Sequence, residues 1–382
     1  MAAKAAGEAG HLYVHVPFCN GKCAYCAFYS ERLRAPAVRC YLDSVRLEIE
    51  RTTLCTAPST IYFGGGTPSV LTTRQLSELC EIVTSRFDLG KLLEWTVEGN
   101  PGTFTEDKLL MLKERGVNRI SIGAQSFDDK TLQFLGRRHE AHDIGTTVKT
   151  IRKAGFSNVG LDLIAAIPGV TPPTWKKTLE RAIALEPDHL SVYCLSIEPG
   201  SRFHASAGAG GLHPAAEAAQ MRALAVARKT LSDAGYQRYE ISNYALLGRE
   251  CRHNLAIWRG ADYAGFGPAA ASRIRLKRWT NSPSLDSYAA SLARSGMPEQ
   301  KDEETLNRRT DALERLIFGF RLTDGVSLAE IPLGPDLAKS CETVLQRLRD
   351  EDLLIKRGNR WIPTPKGLDF ADHIAAELIG LL

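Results

Sequence analysis

Cys19, Cys23 and Cys26 stand in the run Tyr13-Val-His-Val-Pro-Phe-Cys-Asn-Gly-Lys-Cys-Ala-Tyr-Cys, a C-x3-C-x2-C spacing directly after a strand-like stretch. Three thiolates so spaced can hold three irons of a cubane cluster and leave a fourth iron without protein sulfur. An open metal position lets a ligand bind the metal directly, as in catalytic zinc sites. Two plainer readings compete: a zinc site, which would want a fourth ligand nearby, and three incidental buried thiols. The other six cysteines (Cys40, Cys55, Cys80, Cys194, Cys251 and Cys341) are widely spaced. An odd total without a secretion signal argues against a disulfide framework and for a reducing, cytoplasmic compartment.

Further polar residues gather in short motifs. Phe63-Gly-Gly-Gly-Thr-Pro68 contains Gly65, Gly66 and Thr67, and glycines there let backbone groups approach a ligand. Glu98 opens Glu-Gly-Asn-Pro-Gly102, Gln125 lies in Ser121-Ile-Gly-Ala-Gln-Ser-Phe, Arg137 in Leu135-Gly-Arg-Arg-His and Asp162 in Leu161-Asp-Leu-Ile. Taken singly, each is equally well a turn, a helix cap or a surface charge.

The elements that must position them are six. Apolar, β-branched runs at Leu12–Phe18, Thr60–Phe63, Trp95–Glu98, Arg119–Gly123, Val159–Ile164 and His189–Leu195 alternate with amphipathic segments near 36–54, 72–87, 105–115, 141–155 and 172–185. That order predicts an α/β fold with a parallel sheet covered by its crossovers. Two units are missing from a closed eight-stranded barrel, so an incomplete (β/α)6 barrel is expected. Every motif above falls at the C-terminal end of a strand or in the loop after it, the catalytic face of such barrels.

Beyond residue 200 the regularity breaks. Residues 210–236 read as one long helix, helices are expected near 303–317 and 335–350, and a strand pair at Leu354–Lys356 and Trp361–Thr364 precedes a last helix at 366–380. The expected division is a flexible tail over 1–11, the barrel over 12–200, an extension over 201–300 and a winged-helix-like domain over 301–382. A net charge of +4 over 382 residues is too weak to argue for nucleic acid, and no apolar stretch reads as a membrane span.

These motifs together resemble the radical S-adenosylmethionine (SAM) superfamily, with Tyr25 as the aromatic residue before the last cysteine. The resemblance implies a [4Fe–4S] cluster on Cys19, Cys23 and Cys26, with SAM chelating the open iron and cleaved to a radical on electron donation. It further implies SAM contacts from Tyr13, Tyr25, Gly65, Gly66, Thr67, Glu98, Gln125, Arg137, Asp162 and Ser196. The whole chain is similar to the branch that contains oxygen-independent coproporphyrinogen III oxidase and the HemW-type haem chaperones. The oxidase has a further cysteine two places after the third; Phe28 stands there instead, as in the chaperones. Cys251-Arg-His-Asn-Leu-Ala-Ile-Trp258 resembles a chaperone signature implicated in haem handling, with Ile257 in place of its tyrosine. By that resemblance His253 is the candidate haem ligand, with Cys251 second, and neutral imidazole suits haem iron. The implied function is a haem chaperone that receives electrons from a donor and delivers haem as cargo to respiratory membrane proteins, in the cytoplasm or peripherally at the membrane. The alternative is a radical enzyme, either a coproporphyrinogen III oxidase or a methyltransferase of the same branch.

Overall fold

The computed structural model describes residues 9–55, 57–208 and 212–382. Its first half alternates β1 (His11–Val16), α1 (Ala35–Arg51), β2 (Thr60–Gly65), α2 (Thr73–Arg86), β3 (Glu94–Gly99), α3 (Glu106–Glu114) and β4 (Arg119–Gln125). There follow α4 (Asp129–Leu135), α5 (Ala141–Lys153), β5 (Val159–Ala165), α6 (Pro172–Ile183) and β6 (His189–Cys194). The six strands pair in parallel in chain order, forming the incomplete barrel.

Each strand carries a period of two. One set of residues (Leu12 and Val14, Ile61 and Phe63, Trp95 and Val97, Ile120 and Ile122, Leu161 and Leu163) is fully buried in the main hydrophobic core. The intervening set is largely polar: His11, Thr60, Glu94 and Arg119 open their strands, and Glu98 and Asp162 lie near the far ends. A sheet with an apolar outer face under helices and a polar concave face is therefore written into the alternation.

After β6 come α7 (Arg202–Gly208), α8 (Glu217–Asp233), β7 (Gln237–Arg238), β8 (Asn243–Ala245) and α9 (Arg252–Trp258). Next are β9 (Tyr263–Phe266), β10 (Ala271–Ile274), β11 (Lys277–Asn281), α10 (Leu285–Ser295) and β12 (Gln300–Thr305). These strands extend both edges into one 12-stranded sheet of order β12-β11-β10-β9-β1-β2-β3-β4-β5-β6-β8-β7. β9 joins β1 in parallel, and the outer pairings are antiparallel. The C-terminal winged-helix-like domain comprises α11 (Arg308–Gly319), β13 (Val326–Ser327), α12 (Pro335–Asp350), β14 (Leu354–Arg357), β15 (Arg360–Pro363), α13 (Pro365–Asp369) and α14 (Ala371–Ile379). It has its own core around Leu316, Leu345, Leu348 and Trp361, with the three strands ordered β13-β15-β14.

Several expectations need correction. The helix expected from 303 begins at Arg308, because Gln300–Thr305 pairs with β11 as an exposed, charged edge strand; Asn307 then caps α11 by accepting from the Thr310 amide at 2.9 Å. The helix expected over 210–236 spans Glu217–Asp233; residues 209–211 lie outside the described residues. Of the expected tail, residues 1–8 lie outside the described residues, whereas Ala9 is buried and its amide bonds to the Leu54 carbonyl at 2.6 Å. The last helix divides at Phe370. Among the described residues no helix is long and apolar enough to cross a membrane.

Candidate functional site

The C-terminal ends of the six strands open into a cavity of about 730 Å³. Cys19, Cys23 and Cys26 all line it. Their loop is fastened on several sides. Phe18–Cys19 pairs with Glu31–Arg32, the Thr67 amide bonds to the Phe18 carbonyl at 2.7 Å, and Leu135 at the end of α4 accepts from the Ala24 amide at 2.9 Å. From the segment after β6, Arg202 donates to the Lys22 carbonyl at 2.9 Å and the Phe203 amide to the Ala24 carbonyl at 2.9 Å.

The glycine motif has a steric reason. A Cβ on Gly66 would lie 2.7 Å from the Phe18 carbonyl oxygen and 2.8 Å from that of Val16, both backbone atoms at the root of the cysteine loop. Gly65 has φ of +101° and its Cβ would enter the His15 ring. A polar chain then links two of the sulfurs. Cys19 Sγ lies 3.5 Å from Thr67 Oγ1, which accepts from Asn100 Nδ2 at 3.1 Å; Asn100 Oδ1 accepts from Arg137 Nη2 at 2.6 Å, and Arg137 Nη1 donates to Cys23 Sγ at 3.4 Å. Asn100 stands in the Glu98-Gly-Asn-Pro-Gly motif one residue beyond β3, and that position is its signal in the sequence.

Two half-buried carboxylates, Glu98 and Asp162, face the same space. Burial pushes Glu98 up to about 7, against the Tyr62 hydroxyl that donates to it at 2.5 Å, and the nearby Asp162 pushes it further up. Burial also raises Asp162, opposed by the Ser191 hydroxyl, Arg119 and Arg137. A cationic ligand in the cavity would draw both back toward ordinary carboxylate behaviour. Gln125, at a bulge between β4 and β5, has φ of +65°, a strained conformation for a side-chain-bearing residue at the cavity wall.

Nine of the ten residues expected to meet SAM (Tyr25, Gly65, Gly66, Thr67, Glu98, Gln125, Arg137, Asp162 and Ser196) line the cavity. Tyr13 does not; it stacks on Tyr62 and contacts His15 Nδ1 at 3.2 Å, deeper in the barrel. His253 lies at the other end of the barrel. Its Nδ1 is 2.8 Å from Thr60 Oγ1, which is itself 2.9 Å from His11 Nδ1, and Thr60 and His11 both begin strands. The residue is 3% exposed, and burial, with nearby His11 and Arg119, pulls its ring down to about 3, so it is neutral. Cys251 is buried beside it, its Sγ 3.4 Å from Glu94, and its thiol is pushed up to about 12 by burial. Both side chains are buried in the barrel floor in this arrangement. Glu94 makes that floor: its carboxylate accepts from the Arg252 amide at 2.9 Å and the His253 amide at 3.1 Å, holding the start of α9.

The donor set suits a polynuclear iron–sulfur centre. Cys19, Cys23 and Cys26 come to one cavity from a single loop, and three thiolates suit three irons of a cubane. Burial raises the Cys19 and Cys26 thiols, and the neighbouring cysteines raise them further, so stable thiolates here call for a metal charge. Arg137 Nε, buried and without a hydrogen-bond partner among the described residues, adds a free donor at the same wall.

Comparisons with known proteins agree with this geometry. The profile of the Radical SAM superfamily matches residues 13–182, and that of the HemN C-terminal domain matches residues 306–370. A protein named heme chaperone HemW from Bacillus subtilis is 32% identical over 378 residues, 97% of this chain and 99% of its own. Its namesake from Escherichia coli is 35% identical over 95% of this chain and 96% of its own. The solved structure of coproporphyrinogen III oxidase (HemN) from E. coli, described as a radical SAM enzyme, superposes with a TM-score of 0.84 at 24% identity, covering 98% of this chain and 91% of that one.

Proposed function

Because this chain belongs to the HemW family of radical SAM proteins, we propose that it is a haem chaperone with a [4Fe–4S] cluster on Cys19, Cys23 and Cys26 and a SAM site beside it. Its cargo is haem, its recipients are respiratory haem proteins, and its place is the cytoplasm with peripheral contact at the membrane that houses those recipients.

The observation that carries the reading is Phe28. Where the oxidase has its further cysteine, this chain has an aromatic ring that is 68% exposed at the mouth of the cavity. Full-length similarity to proteins named for haem chaperoning supports the same conclusion. Cys19, Cys23 and Cys26 would hold the cluster, which when reduced supplies one electron to SAM. This chain's own residues do the rest. Thr67 and Arg137 would fix the Cys19 and Cys23 sulfurs, Glu98 and Asp162 would attract the cationic end and ribose of SAM, and Gly65 and Gly66 keep the wall flat. Substituting SAM for water beside these half-buried carboxylates strengthens each of these contacts.

An anaerobic haem titration of the cluster-reconstituted protein, read by absorbance, tests the function. A saturable one-to-one complex that survives a competing haem-binding protein is expected. Release of CO₂ from coproporphyrinogen III at enzyme-like rates, or haem binding with no stoichiometric endpoint, would overturn it.

A further inference from the structure

We propose that Lys108 is a positioning residue of the cavity: its buried ammonium clamps the loops that follow β2 and β3 and so fixes Thr67 and Asn100 against the cysteine loop. The inference rests on the reading of that cavity as the SAM site and adds what holds its wall in place.

A lysine is unexpected where this one stands. It is the third residue of α3, in a first turn where Glu106 and Asp107 carry the charge that a helix start favours. Lys108 is only 6% exposed. Lysine is almost never so buried without a partner of opposite charge. Arg273 and Arg238 are buried to the same degree, and each meets a carboxylate, Asp311 at 2.5 Å and Asp369 at 2.6 Å. Among the described residues Lys108 forms no ion pair; both of its hydrogen bonds go to backbone carbonyls. The neighbouring Asp107 turns instead to Thr73, accepting from its hydroxyl at 2.5 Å. Burial accordingly pulls the ammonium down from its ordinary value.

The two carbonyls explain the placement. Lys108 Nζ donates to the Ser69 carbonyl at 2.6 Å and to the Thr103 carbonyl at 2.9 Å. Ser69 is fully buried in the single turn Pro68–Val70 that follows the glycine motif, and the Val70 amide closes that turn on the Thr67 carbonyl at 3.0 Å. Thr103 lies in the turn after β3. Its hydroxyl donates to the Asn100 carbonyl at 2.7 Å and accepts from the Asn100 amide at 3.2 Å, which ties the two residues together. The Ser69 and Thr103 hydroxyls also meet, at 2.5 Å.

One point charge therefore holds two separate loops at a fixed spacing. The same two loops meet again where Asn100 Nδ2 donates to Thr67 Oγ1 at 3.1 Å, the central bond of the polar chain from Cys19 to Cys23. Hydrogen bonds from an ammonium are stronger than neutral ones, and three donors on one nitrogen can serve acceptors in different directions. Without the ammonium, the buried Ser69 carbonyl loses its donor and the loops are joined by hydroxyls alone.

The test uses the full-length, cluster-reconstituted protein and compares Lys108→Met and Lys108→Ala with Leu112→Ala. Leu112 is fully buried in the main core one turn further along α3, so its truncation destabilises the helix without removing the ammonium. SAM affinity is measured by equilibrium dialysis, stability by thermal unfolding, and loop order by hydrogen exchange at the amides of Thr67, Val70, Asn100 and Thr103. Both Lys108 variants should lose SAM affinity by about 10-fold or more, with faster exchange in both loops, while Leu112→Ala melts lower yet stays within about 3-fold of wild type in affinity. Propylammonium, which supplies the atoms missing from Lys108→Ala, should restore affinity; tetramethylammonium, of equal charge but without an N–H, should not. Wild-type affinity in Lys108→Met, an equal loss in Leu112→Ala, or equal recovery with the two ions would overturn the clamp. A wild-type protein that binds no SAM would instead refute the SAM site, and loop exchange, unchanged in Lys108→Met or accelerated in it, would still decide the clamp.

Discussion

His253 and Gly66 show how much a single residue's surroundings decide. The imidazole of His253 is bonded to Thr60 at 2.8 Å, lies 5.2 Å from the Tyr62 ring and has its amide held by Glu94. Removing it leaves the buried Thr60 hydroxyl with His11 alone and a void beside Tyr62, so His253→Ala should cost about 2–4 kcal/mol of stability. Thermal unfolding of the apoprotein checks this without haem or cluster. A variant that melts like wild type yet changes the absorption of bound haem would show that the ring serves as a ligand. Gly66→Ala works at the other end of the barrel. Its Cβ meets backbone atoms of Val16 and Phe18 at the root of the cysteine loop, which cannot move without displacing Cys19. Overpacking of this kind costs about 1–3 kcal/mol, so SAM affinity should fall by roughly 10- to 100-fold. Equilibrium dialysis with labelled SAM and iron content per chain measure both effects. Unchanged SAM affinity would mean that the loop tolerates displacement and the glycine has no part in the site.

At the scale of elements, the strands and the catalytic ends were legible because their signals are local. Short runs rich in Val, Leu and Ile with alternating small or polar residues, such as Val159-Gly-Leu-Asp-Leu-Ile164, read as strands, and the motifs at their ends land on the cavity rim. The polar concave face was legible too, in the strict alternation of Glu94-Trp-Thr-Val-Glu98, but its partners come from residues such as Cys251 and His253, more than 150 positions away. The outer strands β10, β11 and β12 were not legible. Lys277-Arg-Trp-Thr-Asn and Gln300-Lys-Asp-Glu-Glu-Thr are charged edge sequences that carry no hydrophobic period, and Gln300–Thr305 ran into the helical pattern of α11. The extension is tied to α1 by Glu48, which accepts from the Tyr288 hydroxyl at 2.5 Å, the Gly267 amide at 2.8 Å and Asn281 Nδ2 at 2.8 Å. Burial nevertheless pushes Glu48 from 4.5 up to about 7, so the folded protein favours its protonated form. Its contribution to stability is complete below pH 4.5 and is lost as pH rises through about 7. Glu48→Gln should flatten that part of the stability profile, removing a change on the order of 3 kcal/mol. Denaturant unfolding across this pH range reads it directly. A slope that stays unchanged in the variant would exclude Glu48 as its source, whereas a residual slope is expected from Glu98, which burial raises in the same way.

For the molecule as a whole, the question is how the C-terminal domain is held to the barrel. Two contacts converge on Tyr239 and α9. The Thr323 amide bonds to the Tyr239 carbonyl at 3.1 Å, while the Tyr239 hydroxyl lies 2.8 Å from His189 Nε2 on the barrel floor. Arg321 stands 4.1 Å over the Trp258 ring, and Phe318 meets the same ring at 5.9 Å, so the helix that carries His253 into the barrel also carries Trp258 to the C-terminal domain. The strongest link is ionic. Asp369 at the end of α13 pairs with Arg238 at 2.6 Å and with Arg228, and the side chains of Arg238 and Asp369 are only 7% and 6% exposed. Taking away one member of a buried pair strands the other charge, at a cost of about 3–5 kcal/mol. Asp369→Ala should therefore loosen the C-terminal domain selectively, because the barrel core and the cysteine loop share no residue with this pair. Hydrogen exchange should speed up in α13, α14 and β7 while β1 to β5 stay protected, and iron content should be unchanged. Replacing both partners, Arg238→Met with Asp369→Leu, removes the stranded charge and should recover part of the loss. If Asp369→Ala leaves exchange in α13 as slow as in wild type, the ion pair is not what fastens the domain. If β1 to β5 open together with α13, the two cores unfold as one cooperative unit, and the division between them is one of packing alone.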